Sequence, residues 1–226
     1  MIKLRLLFIL TLLFLFSKPS EAQNISPYKY SFGLNLVSYN EQIPVVGTDY
    51  NNNDYVASYA NELIFKVRNN LFSFRLGARY NHFNDQNPTP DCATCASNTG
   101  KYQNLKVGLG FEREFLYTLV RPVIGLDLFY YRSDYKGQTL PSLGVESNYT
   151  NNRNGAGFSP FIGIKFYPVD RVTIMASSSI ESIWFHEKSE TETNGIKYST
   201  PGHYSFETYF NPIAGLTLIY NFGSED

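Results

Sequence analysis

The chain has 226 residues, with 19 Lys and Arg, 20 Asp and Glu, two Cys and a formal net charge of −1. This length is sufficient for one domain with a full core or for one closed barrel, and the charge excludes the strongly basic surface that nucleic-acid binding requires. Aromatic residues make up 16% of the sequence, with 18 Tyr and 18 Phe, a composition that suits β-strands and membrane interfaces.

Residues 1–22 have the pattern of a secretory signal peptide. Lys3 and Arg5 precede an apolar run, and Ser20-Glu21-Ala22 provides a small-x-small cleavage site. Because the apolar run is shorter than the ~20 residues that a spanning helix needs, a cleaved signal is favoured over a membrane anchor. We therefore expect an exported protein whose mature domain covers residues 23–226, with a net charge of about −3 once the signal is removed.

The mature chain divides into segments in which apolar and polar residues alternate with a period of two, the pattern of β-strands with one apolar face. The last segment is the longest: it carries apolar residues at most even positions from Phe206 to Phe222, and two aromatic residues end it. Eight strands are predicted, at residues 28–39, 59–68, 71–83, 102–115, 120–132, 155–167, 172–186 and 204–222.

The predicted connections alternate between short and long. Short ones fall at 69–70, 116–118 and 168–171, and long polar ones at 40–54, 84–100, 133–154 and 187–203. An even number of antiparallel strands with short turns at one rim and long loops at the other is typical of an all-β, eight-stranded transmembrane up-and-down barrel. We expect both termini on the short-turn side, with the eighth strand pairing with the first.

Alternation alone does not decide between a membrane barrel, apolar outside, and a soluble ligand-binding barrel, apolar inside. Glycines decide it, because the interior of a barrel of about eight strands is only just wide enough for side chains, so small residues there make room for large ones. The polar face carries Gly33, Gly77, Gly108, Gly110, Gly125, Gly157, Gly163 and Gly215. This face is therefore predicted to be the interior.

The same face carries charges of both signs, and buried charges persist only when they are paired. We predict an interior ion-pair network and no wide water-filled pore. Its members are Glu62, Lys66, Arg75, Arg79, Lys106, Glu112, Arg121, Asp127, Lys165, Glu181 and Glu207. Three prolines, Pro122, Pro160 and Pro212, fall within strands, where we expect bulges.

Aromatic residues near the strand ends are interpreted as the two girdles of a membrane barrel. Tyr135 and Tyr149 lie in predicted loops, where sugar stacking is an alternative role. The girdle residues are Tyr28, Tyr30, Tyr80, Tyr130, Phe166, Trp184, Tyr220 and Phe222, together with Tyr102 and Tyr204.

The ending Gly215-Leu216-Thr217-Leu218-Ile219-Tyr220-Asn221-Phe222, with the signal peptide and the strand pattern, resembles the small OmpA-like and PorT-like outer-membrane β-barrels. The resemblance implies an outer-membrane location, contact with outer-membrane lipid and lipopolysaccharide, and assembly by the barrel-assembly machinery, which reads such an ending. Residues 223–226 follow the final aromatic, which family members often place last.

Two local motifs have residue types that can carry chemistry. Cys92 and Cys95 are spaced as a small structural disulfide in an exported protein, with free thiols, a redox pair or a zinc site as alternatives. His82, His186 and His203 fall at the loop-side ends of strands and are interpreted as interfacial polar residues rather than ligands or general bases. No phosphate-binding loop or nucleophile elbow is present, so no cofactor is expected.

These features predict an outer-membrane barrel that is not an enzyme. It would act through its long loops as a structural, adhesive or accessory subunit, with an envelope protein as a potential partner. The alternatives are a lipid-A-modifying enzyme, for which the sequence from His186 to Ser189 offers suitable residue types, a narrow channel, and a barrel that binds a small ligand.

Overall fold

A computed structural model describes residues 28–41, 55–87, 97–115, 118–140 and 145–224. The predicted signal peptide, Cys92 and Cys95 lie outside these residues. None of the described segments forms a helix of the length and hydrophobicity that a membrane crossing would need.

Eight antiparallel strands form a closed barrel in up-and-down order, each strand pairing with its neighbours in sequence. β8 returns to β1, with Phe32 opposite Tyr220 and Leu34 opposite Leu218, so the predicted closure is confirmed. The strands are β1 (Tyr28–Glu41), β2 (Tyr55–Asn69), β3 (Phe72–Asn87), β4 (Ser97–Glu114), β5 (Val120–Leu140), β6 (Ser147–Val169), β7 (Val172–Thr193) and β8 (Ile196–Ser224).

Two-residue turns join strands at the end where Tyr28 lies opposite Ser224. The first is Asn70-Leu71, one residue later than predicted, and the second is Asp170-Arg171. Asn70 and Arg171 adopt left-handed backbone with φ of 56° and 66°, as tight hairpin turns require. Both described ends of the chain are therefore on the short-turn side, as expected.

The prediction of a long loop at residues 187–203 is wrong. β7 and β8 run to a two-residue turn, Asn194-Gly195, whose φ values of 55° and 74° are those of a type I′ hairpin. The predicted loop at 133–154 is also mostly strand, because β5 continues to Leu140 and β6 starts at Ser147. Both faces of these extensions carry polar residues, so the contrast that marks a strand in a sequence is missing.

Of the three strand prolines, only Pro212 lies at an irregularity. The β7–β8 register shifts between Ser177, opposite Gly215, and Ser179, opposite Asn211. The β5–β6 ladder continues without a shift through Pro122 and Pro160, so bulges at those two positions were a wrong expectation. A further shift lies between β1 and β2, where Ala60 has a φ of 47°.

The polar face is the interior. Side chains such as Glu112, 0% exposed, and Lys165, 1% exposed, point inward, whereas apolar residues such as Leu109 and Ile162 are about two-thirds exposed on the outside. Inward glycines make room for large neighbours, as predicted: a Cβ on Gly125 would overlap the ring of Phe161. The barrel thus has its ion pairs inside and its apolar surface outside.

Candidate functional site

The interior side chains form successive layers along the barrel. At the turn end, Glu114 accepts hydrogen bonds from Arg68 at 2.8 Å, Lys165 at 2.6 Å and Tyr167 at 3.1 Å. Arg121 donates to the same carboxylate at 3.2 Å and places its guanidinium 4.1 Å from the ring centroid of Tyr167. The buried carboxylate of Glu114 therefore binds three cations, Arg68, Arg121 and Lys165, at this end.

The next layer is centred on Glu112, which β4 directs to the barrel axis. Lys66 and Lys165 donate to its two oxygens at 2.9 Å and 2.5 Å, and Arg75 lies 3.7 Å away. Because Lys165 also reaches Glu114, it joins the two layers. These groups come from β2, β3, β4 and β6, so the network ties non-neighbouring strands across the lumen.

The third layer surrounds a cavity of about 60 Å³ in the middle of the barrel. Arg79 donates to Glu62 at 2.6 Å and to Glu181 at 3.4 Å, and Lys106 forms a hydrogen bond with Glu181. Arg75 pairs with Asp127 at 3.1 Å. Three cations and three carboxylates thus line the cavity, which is balanced in charge and has room for a few water molecules.

Apolar clusters lie on both sides of this cavity. The cluster towards the turns contains Val123, Phe161, Met175 and Ile219, and the cluster towards the loops contains Phe129, Tyr131, Ile183, Phe185 and Tyr209. The second cluster uses the space left by a glycine, since a Cβ on Gly157 would lie 2.7 Å from the ring of Phe129. Side chains therefore fill the lumen above and below the cavity.

Above the second cluster, the barrel mouth carries another set of charges. Arg153 pairs with Glu187 at 3.3 Å and with Glu207 at 3.5 Å, and its guanidinium lies 4.8 Å from the ring centroid of Phe185. Asn151 donates to the same Glu187 carboxylate. This arrangement continues the network into the part of the barrel that was predicted to be loop.

All eleven residues of the predicted network form ion pairs in the interior. Four partners were missing from the prediction: Arg68 and Glu114 at the turn end, and Arg153 and Glu187 at the mouth. Arg153 follows the same period of two as Gly155 and Gly157, and that spacing was the signal that could have identified it.

The outer surface carries an apolar belt, formed by the outward side chains of residues 32–39, 59–67, 72–80, 105–111, 120–130, 156–169, 174–184 and 206–222. Tyr80, Tyr130 and Trp184 lie on its loop side, and Trp184 packs against Phe206 with ring centroids 4.9 Å apart. The predicted girdle residues on the turn side, all facing outward, are Tyr28, Tyr30, Phe166, Tyr220 and Phe222.

The turn-side aromatic residues contact the turn itself. Tyr28 donates to Asp170 at 2.7 Å, and the Arg171 guanidinium lies 5.7 Å from the Tyr28 ring centroid. Hydrogen bonds to the phenolic oxygens of Tyr220 and Tyr28 raise the pKa of Arg171 above its ordinary value. These contacts attach the β6–β7 turn to the first and last strands.

Tyr102 is not a girdle residue, in contrast to the prediction. It points inward, is buried, and packs on Phe83 with ring centroids 4.5 Å apart. Tyr135 also points inward, lying over Gly100, and its ring is 6.1 Å from that of Tyr149. Because strand residues alternate between faces, Tyr102 lies on the same inward face as the buried Asn104. The prediction placed Tyr102 in a girdle from its position near a strand end and did not use this alternation.

The residues considered for catalysis do not meet. His186 faces outward, where its ring meets that of the exposed Tyr204 edge-on with centroids 5.1 Å apart, whereas Ser189 faces inward and accepts a hydrogen bond from Tyr149 at 3.2 Å. His82 and His203 are exposed. Within the described residues there is no group of three or more His, Cys, Asp or Glu that could hold a metal ion.

The arrangement can therefore do two things chemically: the interior can hold a fixed set of charges away from water, and the exterior can present an apolar belt with a polar rim above it. Comparisons of the sequence with protein-family models and with curated proteins found no match.

Proposed function

We propose that the chain is an integral outer-membrane barrel that acts without chemistry, as a structural, adhesive or accessory subunit of the envelope. The observation that carries this proposal is that the apolar belt ends abruptly on its loop side. On β5 the outward residues from Val120 to Tyr130 are apolar, and the next three are Arg132, Asp134 and Lys136. On this strand the belt spans eleven residues, which matches the ~9–11 residues with which a tilted strand crosses a bilayer.

The belt also argues against a water-soluble barrel. Soluble monomers rarely expose a contiguous apolar patch larger than a few hundred Å², since such patches promote association. Here exposed Phe, Leu, Ile and Val side chains occur on all eight strands. Hydrocarbon is the environment in which this surface is stable, and the aromatic residues at both edges suit the two interfaces.

Beyond the belt, the barrel continues as what we call the loop-side wall, formed by residues 97–103, 132–140, 147–154, 186–193 and 196–204. Where its side chains are described, the outward ones are mainly polar or charged, so the wall suits the aqueous space outside the membrane. The wall is the surface that a partner would meet. This supports a role in adhesion or in an envelope complex.

A first test targets the belt. Ile162 lies on the outward face of β6, eight residues from Asn154 in the loop-side wall and eight residues from Asp170 in the turn. In this test it is changed to Arg. An arginine at the bilayer midplane costs about 2–4 kcal/mol, so Ile162→Arg should lower the fraction of protein that folds into lipid vesicles and shifts in a gel without boiling.

The matched control is Asn148→Arg, on the outward face of the same strand but in the loop-side wall, which should insert as the unmodified protein does. If both variants insert equally well, or if the unmodified protein is recovered in the soluble fraction of cells, the proposed membrane location fails.

A second test concerns the closed lumen. The charges around the central cavity are paired, and apolar clusters lie on either side of it, so steady ion conductance is not expected. The protein in planar bilayers should give no stable single-channel currents. Stable currents that disappear with Arg75→Gln would favour the narrow-channel alternative instead.

A further inference from the structure

Two lysines lie directly opposite each other on the outer face of the loop-side wall. Lys101 on β4 and Lys136 on β5 are Cα partners in the ladder, and both are exposed. Directly opposed side chains in an antiparallel pair have Cβ atoms about 4.5–5.5 Å apart, and like charges in such a position are destabilising. The strand pairing therefore places the two lysine side chains side by side on the outer face.

No carboxylate of the described residues forms an ion pair with either lysine. On the flanking strands their neighbours are uncharged, with Asn84 opposite Lys101 and Thr150 opposite Lys136. On the same face of β5 the nearest acidic residue is Asp134, which lies two residues before Lys136 and pairs with Arg132. By contrast, three other exposed cations of the wall have partners of opposite charge: Arg132 pairs with Asp134, Lys188 with Glu190 and Lys197 with Glu192.

The height of the two lysines above the apolar belt indicates which kind of anion could bind between them. Lys136 lies six residues beyond Tyr130, the last outward aromatic of β5. With a rise of about 3.3 Å per residue and a strand tilt of about 40–45°, this places it roughly 14–15 Å above the edge of the apolar belt. In an outer membrane that level holds the sugars and phosphates of the outer-leaflet glycolipid.

We propose that Lys101 and Lys136 form a binding site for a phosphate group of an outer-leaflet glycolipid headgroup. A phosphate between the two ammonium groups would convert an unfavourable pair into two charge-assisted contacts. His82 and Gln103 are adjacent outward residues that can donate further hydrogen bonds to it. This inference rests on the proposed membrane location, because only an inserted barrel brings the pair to the headgroup layer.

The test uses the full mature protein folded in detergent micelles, with folding checked by the gel shift. Binding is measured to purified lipopolysaccharide and to the same lipopolysaccharide after chemical dephosphorylation. The unmodified protein should bind the phosphorylated form roughly tenfold more tightly, since each lysine near an anionic surface contributes favourably. Lys101→Gln with Lys136→Gln should abolish that preference, and Lys101→Arg with Lys136→Arg should retain it.

The matched control is Lys188→Gln with Lys197→Gln, which removes the same charge from lysines that already have partners and should keep the preference. Equal affinity of the unmodified protein for both lipids would overturn the inference, as would equal losses in the two glutamine double variants. Competition by millimolar inorganic phosphate as effective as that by the lipid would assign the site to free phosphate and overturn the lipid source.

Stability gives a second readout without lipid. Because the pair is repulsive, Lys101→Gln should unfold at the same urea concentration as the unmodified protein or at a higher one. A lower midpoint would mean that the lysines are structural, which overturns the inference. A protein that fails to insert into vesicles contradicts the proposed function, whereas one that inserts but ignores phosphate contradicts only this inference.

Discussion

Glu112 is the residue on which the interior network depends most. Its carboxylate is fully buried, accepts from Lys66 and Lys165, and faces Arg75. Lys165 and Arg75 have further carboxylate partners, so neutralising Glu112 would chiefly leave the buried Lys66 charged without one among the described residues. Breaking a buried ion pair in this way typically costs about 3–5 kcal/mol, although the intact pair itself adds little net stability.

We therefore predict that Glu112→Gln lowers the free energy of unfolding by about 3–5 kcal/mol, measured by urea titration in vesicles or micelles. The comparison is Glu207→Gln at the mouth, where one oxygen lies 3.5 Å from Arg153 and the side chain is partly exposed. That change should cost about 0–1 kcal/mol. Equal losses of unfolding free energy in the two variants would show that burial of the carboxylate does not determine how much an ion pair matters for stability.

For single residues, the sequence was informative where a charge alternated with glycine inside a strongly patterned strand. Glu112 and Lys165 were identified in this way, because Gly110 and Gly163 mark the same face. Glu187 was missed, since it lies among polar residues on both faces and no apolar partner marks its orientation. Pairing across the lumen, such as that of Lys66 with Glu112, depends on side-chain directions that the sequence pattern does not contain.

Among the elements, the β7–β8 hairpin departs most from the prediction. Its strands exceed the length needed to cross a bilayer, and a tight turn replaces the expected loop. The sequence contains Asn194-Gly195, the usual dipeptide of a type I′ turn. Without a contrast between apolar and polar faces around it, composition suggested a loop, although the turn signal was present.

This turn provides a prediction at the level of the element. Gly195 has a φ of 74°, and a Cβ added to it would have no atom within 4 Å, so Gly195→Ala tests backbone strain alone. The left-handed conformation costs a residue with a Cβ about 1–2 kcal/mol, so we expect faster amide exchange and proteolysis near residues 190–200.

The control for the turn is Asn194→Gly, which keeps a residue suited to positive φ and should leave exchange in the hairpin nearly unchanged. Because the hairpin tip extends beyond the belt, neither change should affect insertion into vesicles. Protection that stays the same in Gly195→Ala would contradict the tight turn.

For the whole molecule, the strand number, the antiparallel order, the closure of β8 on β1 and the choice of interior face were all predictable from the sequence. Each follows from period-two alternation together with inward glycines such as Gly125 and Gly157, because a narrow barrel imposes both. The strand lengths were not predictable, because the ladder hydrogen bonds beyond the belt form whether or not a strand has an apolar face. The partner that we propose for the loop-side wall is equally absent from the pattern, because surface shape is not encoded by composition.

The proposed function depends above all on the apolar belt lying in a lipid bilayer, and Trp184 is placed to report on this. It is the only tryptophan of the chain, it faces outward at the loop-side edge of the belt, and 63% of its surface is exposed. A fluorescence measurement therefore has a single source at a known level. Leu109→Trp combined with Trp184→Phe moves that source towards the middle of the belt.

The decisive measurement is quenching of this fluorescence in vesicles made with lipids brominated at different depths. We predict that Trp184 is quenched most by bromine near the headgroups and that tryptophan at position 109 is quenched most by bromine deep in the chains, with little quenching of either by aqueous acrylamide. Strong acrylamide quenching of both positions, with no effect of brominated lipid, would contradict the membrane location.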